Sequence, residues 1–405
     1  MAASVIQLQC DCKNDPWGKK GGESLAGRLW SQMPDASPLD QSQTYSEMWM
    51  GTYPSVPSRL ASSGELLQDH IKNNPELLGS RFCDRYSTEV PFLPKILSFE
   101  KALPLQLHPD KKLAEKLHAY DSTKFGDSNH KPEIAVALTR FELFVGFKPI
   151  EELREIIRLG PLQEILPKYE HVDEKALRET CRALLKLSER DASSIIDKLK
   201  HLPASDLGAK HQHIPKLVER LSEQYSESDN GILIASLLMN YMALEPGEAV
   251  CVPADSIHAW LSGDILECMA RSDNVLNTGF CPRADRDNIN LFTQALTFKP
   301  QGQEASLLQG QPSSFGSTQK TVEYAPPFSE FNVLGVSLNG KEMETHAVLH
   351  SPSILVVTEG SGIMATGQAD NYDLREGSVF FAGPEAKLQF ATHGSLNIYR
   401  AYATL

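Results

Sequence analysis

The sequence predicts a mainly β protein with a helical insertion, and three observations carry that expectation. Short apolar runs separated by turn signals fill about 85–148, apolar residues at three- and four-residue spacing fill about 150–245, and short strands return after 246 and persist to the C-terminus. Strands that are not joined by crossover helices favour a β-barrel or sandwich over a parallel sheet.

Taken in order, VPFLPKILSF, LPLQLHPD and, after the polar stretch GDSNHK, PEIAVALTRFELFVGF are the β segments of the first block. EELREIIRLGPLQEIL, EKALRETCRALLKLSE, ASSIIDKLKHL and IPKLVERLSEQY place apolar residues on one helical face each. GEAVCVPADSIHAWLSGDILECM restores β character. A Gln, Gly and Ser-rich connector near 301–319 then precedes SILVVTEG, GSVFFAG and NIYRAYATL. The expected organisation is one barrel from 1–149 with 246–325, a helical insertion at 150–245 and a second barrel at 326–405.

At 405 residues with 41% apolar content the chain is long enough to bury more than one core. A net charge of -13 argues against a nucleic-acid or anionic-membrane partner, since both reward excess Lys and Arg. The N-terminal MAASVIQLQC lacks the basic start and apolar core of a signal peptide, and the apolar run GILIASLLMNYMAL is too short to span a bilayer. Seven thinly spread cysteines suit reduced thiols. A cytoplasmic monomer acting on a small molecule is expected. Cys10 and Cys12 are either half a metal site or alternating strand residues.

An internal comparison refines the fold. Gly247 lies six residues before Pro253, which lies five before His258; Gly377 lies seven before Pro384, with Gln389 five further on. The first pattern resembles the second motif of the cupin barrel, in which a Gly-turn strand leads to a Pro and then a metal-binding His. The second has a similar turn and no His. The resemblance implies two cupin-like, jelly-roll barrels, of which only the first could hold a metal.

Residues i and i+2 of a strand share a face, so Gln106 and His108 in PLQLHPD project together, as do Lys131 and Glu133 in HKPEIAVAL. With His258, Gln106, His108 and Glu133 offer two oxygens and two nitrogens, a set suited to a borderline divalent ion such as zinc and tolerant of iron or manganese.

QLHPDKKLAEKLHA, NHKPEIAVALTRFELFVGFKP, YSEMWMGTYPS and PADSIHAWLSGDILECMARSDN resemble the type I phosphomannose isomerases, in order, from about residue 8 to 300 and more weakly beyond. The resemblance implies a zinc enzyme that interconverts mannose 6-phosphate and fructose 6-phosphate through an enediolate and feeds mannose activation to GDP-mannose. It implies one zinc held by Gln106, His108, Glu133 and His258. Lys131 is then the candidate proton carrier, with an ion-paired lysine as the plainer reading. Asp273, which also suits a turn cap, is the candidate for ring opening, with Glu267 near it in sequence. Trp17, Glu47 and Trp49 match family positions that read as pocket walls, although core packing explains the tryptophans too.

The chain departs from the family where substrate should lie. A family serine becomes Pro104, a histidine becomes Tyr53, the arginine expected after SDN becomes Asn277, and a lysine six residues later becomes Arg283. Arg271, where the family often has a small residue, and Arg283 are the candidate replacement cations. Three readings follow: the isomerase with rearranged cations, a related zinc isomerase or epimerase on another sugar, or a paralogue that binds metal or sugar phosphate with little chemistry.

Overall fold

The computed structural model describes residues 5–328, 330–367 and 371–405. Among them, two large antiparallel sheets of ten and eleven strands carry the architecture. The spine of the first is the thirteen-residue strand His258–Ala270. Its first half pairs with Phe141–Phe147 and, at His258 opposite Gln106, with Leu105–Leu107. Its second half pairs with Phe92–Phe99 along one edge and Glu133–Ala137 along the other. One strand therefore serves two faces of a curled sheet.

Both faces of that sheet are covered, which is why Glu133–Ala137 is buried at every position. Ala135 and Ala137 join Leu97, Phe141, Val250 and Trp260 in an interior cluster. The alternate residues Ile134 and Val136 pack with Ile96, Leu266, Val333, Ile354 and Phe381 in the layer between the two large sheets. At about 25 cal/mol per Å2 of apolar surface, this layer makes the sheets one unit energetically.

The helical stretch closes another side. Its apolar faces, including Leu153, Leu177, Leu184, Ile195 and Leu217, pack on Leu105, Leu107, Ala259 and Leu261. Period two then turns the residues between those aliphatics, Gln106, His258 and Trp260, to the opposite face. The insertion's hydrophobic core thus fixes the direction in which candidate ligands point.

Four local features differ from expectation. Lys111–Tyr120, which follows PLQLHPD inside the block read as strands, is a helix, because Asp110 caps it by accepting the Leu113 N–H at 2.7 Å. The apolar run GILIASLLMNYMAL does not stay helical: Met239–Leu244 is a strand paired with Phe141–Phe147. The N-terminal strand Val5–Gln9 belongs to the second large sheet, pairing with Val379–Ala382. That sheet also takes in Thr321–Tyr324, before residue 326. Cys10 and Cys12 flank a break between strands. Cys10 is buried against the Ser58 hydroxyl and Cys12 lies half-buried against the Lys13 carbonyl, with no metal-binding group around either among the described residues. No helix among the described residues is long and apolar enough to cross a membrane.

Candidate metal centre and active site

Glu133 and His258, each the first residue of its strand, meet His108, the residue just past Leu105–Leu107, with their ligand atoms within 4.8 Å of one another, all buried. His258 Nε2 lies 3.0 Å from Glu133 Oε1, and His108 Nε2 lies 3.4 Å from Glu133 Oε2. Gln106, directly across the ladder from His258, completes the group with its amide 3.3 Å from His258 Nε2. Which amide atom faces inward is a choice of flip, so the oxygen is available to the same point.

The outer hydrogen bonds select the tautomers. His108 Nδ1–H donates to the Asn274 carbonyl at 2.8 Å and His258 Nδ1–H to the Ser256 carbonyl at 3.1 Å. Both Nε2 lone pairs are therefore directed at Glu133. Burial, then the Lys131 charge, pulls His108 down to about 4, so it is a neutral ligand near pH 7. Burial opposes ionisation of Glu133, and the imidazoles hold the carboxyl well below its usual range only in their protonated form; with their lone pairs turned inward a cation has to supply that charge. His108 Nε2 and both Glu133 oxygens are buried without a hydrogen-bond donor. Buried acceptors converging without donors are costly unless a cation meets them, so the donor set fits a divalent ion.

Glu267 and Glu47 flank the buried ammonium of Lys95, at 3.6 and 3.4 Å. Lys95 lies 4.0 Å from the centre of the Trp49 ring, and the Trp49 and Trp260 indoles donate to Glu47 at 2.7 Å and Glu267 at 3.1 Å. Burial and the nearby Glu133 charge raise Glu267. Burial opposes Glu47, yet Lys95 and Lys13 pull it down to about 2. Lys95 was not singled out by the sequence. Its signal was a lone charge in Phe92–Phe99, a strand buried at every position.

Lys131 is buried, with its Nζ 4.0 Å from Asp273 Oδ1, and Asp273 is about half exposed. Asn277 stands across the ladder from Gln106, so His258, Gln106 and Asn277 form one cross-strand row. The Asn277 backbone N–H donates to Asp287 at 2.9 Å, and its side-chain oxygen is buried without a partner.

The two candidate replacement cations do not meet there. Arg283 pairs with Glu189 at 2.9 Å and donates to the Ser228 carbonyl, both on the helical stretch, although it lines the same cavity of about 790 Å3 as Asn277, Trp17 and Pro104. Arg271 pairs with Glu89 at 3.2 Å and lies over the Tyr53 ring, lining a different cavity with Asp127 and Asn129. Lys101, which the sequence did not single out, also lines the Asn277 cavity. Glu47 and Trp49 stand buried around Lys95, while Trp17 packs edge-on against Phe99 at the cavity wall.

With this geometry in place, likeness to known proteins is informative. The family model for the phosphomannose isomerase type I catalytic domain matches residues 5–150. A mannose-6-phosphate isomerase of Schizosaccharomyces pombe is 33% identical, over 99% of this chain and 100% of that protein. The chain belongs to the type I phosphomannose isomerase family. The Saccharomyces cerevisiae mannose-6-phosphate isomerase is 34% identical over 99% of each chain. A crystal structure of mannose 6-phosphate isomerase bound with zinc and yttrium superposes with a TM-score of 0.83 at 26% identity over 100% of both chains, as does an apo form from Salmonella typhimurium.

Proposed function

We propose that this phosphomannose isomerase homologue is a zinc-dependent aldose–ketose isomerase that interconverts mannose 6-phosphate and fructose 6-phosphate, upstream of GDP-mannose. The observation that carries the reading is the convergence of His108, Glu133 and His258, with acceptors that lack donors, in a chain of this family. Gln106, His108, Glu133 and His258 would hold the ion. Zinc bound there supplies Lewis acidity toward the adjacent carbonyl and hydroxyl oxygens of the open sugar.

The remaining work falls to side chains. Asp273, partly exposed, takes the anomeric hydroxyl proton and returns one to the ring oxygen, opening the ring. Lys131, 4.0 Å from Asp273, passes its ammonium proton to that carboxylate, and the freed amine accepts the C2 proton and delivers it to C1. The intervening enediolate also needs a proton moved from O2 to O1. Glu267, raised by burial and steadied by Trp260 and Lys95, suits that transfer. Trp17, Arg283 and Asn277 bound the substrate cavity, with Glu47 supporting Lys95 and Arg271 acting at the neighbouring loop.

In this reading the two large sheets are cupin-like barrels, the first from 1–149 with 246–325 and the second mainly from 326–405, with the N-terminal strand lent to the second. The protein is a cytoplasmic monomer without nucleic-acid or membrane partners, a reading that its acidic charge and seven free cysteines support.

The test is conversion of mannose 6-phosphate to fructose 6-phosphate by zinc-loaded and chelator-stripped protein. Zinc-dependent turnover at an ordinary rate, about 1–1000 per second, is expected. Bound zinc without turnover would contradict it. Asn277, with its unpartnered amide oxygen beside Gln106, favours a second reading, a related zinc isomerase or epimerase on another sugar or a weakly active binding paralogue. Turnover of a different sugar with negligible turnover of mannose 6-phosphate would select the enzyme form of that reading.

A further inference from the structure

We propose that Asp127 is a positioning residue that ties the loop carrying Asp273 to the ligand His108, with Tyr53 and Arg271 as its outer clamp. The inference rests on the assignment of the metal centre above. Asp127 sits in a segment without regular secondary structure, so only side-chain and loop hydrogen bonds fix it.

Its carboxylate is used completely. Oδ2 accepts the Tyr53 hydroxyl at 3.0 Å and the Asp273 backbone N–H at 3.1 Å. Oδ1 accepts the Asn129 backbone N–H at 2.9 Å and the Asn274 amide at 3.1 Å, and the Asp127 carbonyl takes the same amide at 2.7 Å. Asn274 is buried, and its own carbonyl receives the His108 Nδ1–H at 2.8 Å. Two covalently adjacent residues held by one carboxylate thus have separate tasks: Asp273 faces Lys131, and Asn274 orients the imidazole.

The outer side is closed by Tyr53 and Arg271. The Arg271 guanidinium lies 5.3 Å from the Tyr53 ring centre while pairing with Glu89, and the Arg271 carbonyl accepts the Asn129 amide at 3.2 Å. The clamp therefore covers Asp127 and closes back onto the same loop. Charge-assisted hydrogen bonds of this kind set geometry as well as energy.

Asp127→Asn is the sharp variant because it keeps the shape. Each carboxylate oxygen faces a backbone N–H that cannot reverse its role, so either amide orientation sets an NH2 group against a fixed donor. Zinc affinity is measured by chelator competition without sugar, and kcat and KM for mannose 6-phosphate are measured separately. The expected result for Asp127→Asn is a zinc dissociation constant raised about tenfold or more, with kcat lowered about tenfold and KM within about threefold. Tyr53→Phe, which leaves the Asp273 N–H bond in place, is expected to lower kcat by about two- to fivefold with zinc affinity unchanged. If Asp127→Asn fails to fold, Tyr53→Phe decides, and a kcat identical to the parent overturns the proposal. Zinc affinity and kcat both within about twofold of the parent in Asp127→Asn also overturn it. A parent that binds zinc but turns over no sugar contradicts the proposed reaction, and the zinc measurement on Asp127→Asn still decides this inference.

Discussion

The two large sheets build the same local device and line it with different polar groups. In the first, Gly247 at φ 89° turns into Ala249–Val252, Pro253 and the strand that begins at His258; in the second, Gly377 at φ 81° turns into Val379–Ala382, Pro384 and Leu388–Ala391. Gly377 has no alternative, since a Cβ there would meet the Leu29 carbonyl at 2.1 Å. Five residues past each proline, His258 turns inward and is fully buried, whereas Gln389 is exposed and its amide reaches the Thr345 hydroxyl.

Behind these positions the interiors diverge. The first presents Glu133 between the His108 and His258 imidazoles, with His108 Nε2 and both Glu133 oxygens lacking donors, and matches its buried Lys95 with two carboxylates. The second buries His346 with Nδ1 3.4 Å from Arg400 Nη1 and Nε2 3.2 Å from the Thr321 hydroxyl. Arg400 is fully buried and pairs with no carboxylate among the described residues; burial draws it down to about 9. Burial, then Arg400, draws His346 down to about 3. The first interior groups acceptors that lack donors, whereas in the second both nitrogens of His346 are engaged, by Arg400 and by Thr321.

The largest expected effect breaks this contrast directly. Glu133→Gln or His258→Ala should lower zinc affinity at least a hundredfold and turnover by about a thousandfold, whereas His346→Ala should change neither. Zinc content after dialysis and steady-state rates check this. Next, Lys95→Met strands Glu47 and Glu267 and should cost about 3–5 kcal/mol of stability, while Arg400→Met removes a buried, carboxylate-free cation and should leave the melting temperature equal or higher. Denaturant titration of both variants sharpens the comparison.

A pH titration gives the third. Because Glu47 is held at about 2 against an ordinary 4.5, its contribution is complete above pH 4.5 and is lost as pH falls toward 2. Stability should therefore decline through that window by a few kcal/mol, and Glu47→Gln should flatten the decline. The smallest effect concerns substrate: Asn277→Arg should raise kcat/KM on mannose 6-phosphate about tenfold by adding one charge-assisted hydrogen bond. No gain would favour the second reading of function.

How much was legible follows from range. Gln106 with His108, and the apolar alternation around them, are period-two signals contained in seven residues, so the strand and the shared face are readable locally. The pairing of Val5–Gln9 with Val379–Ala382 spans most of the chain and leaves no local mark. GILIASLLMNYMAL has no breaker where helix gives way to the Met239–Leu244 strand, so pattern alone could not divide it. Lys95 and Asp127 owe their places to partners distant in sequence, Glu47 and Glu267 for one, Tyr53 and Asp273 for the other. Arg271 and Arg283 were legible as extra cations, but the acids that hold them, Glu89 and Glu189, were not.

The most direct measurement is diffraction above and below the zinc absorption edge from crystals of the zinc-loaded protein. We predict a single anomalous peak about 2.0–2.2 Å from His108 Nε2, His258 Nε2, a Glu133 oxygen and the Gln106 amide oxygen, and none beside His346. A peak in the second sheet, or no peak among these four residues, would contradict the account.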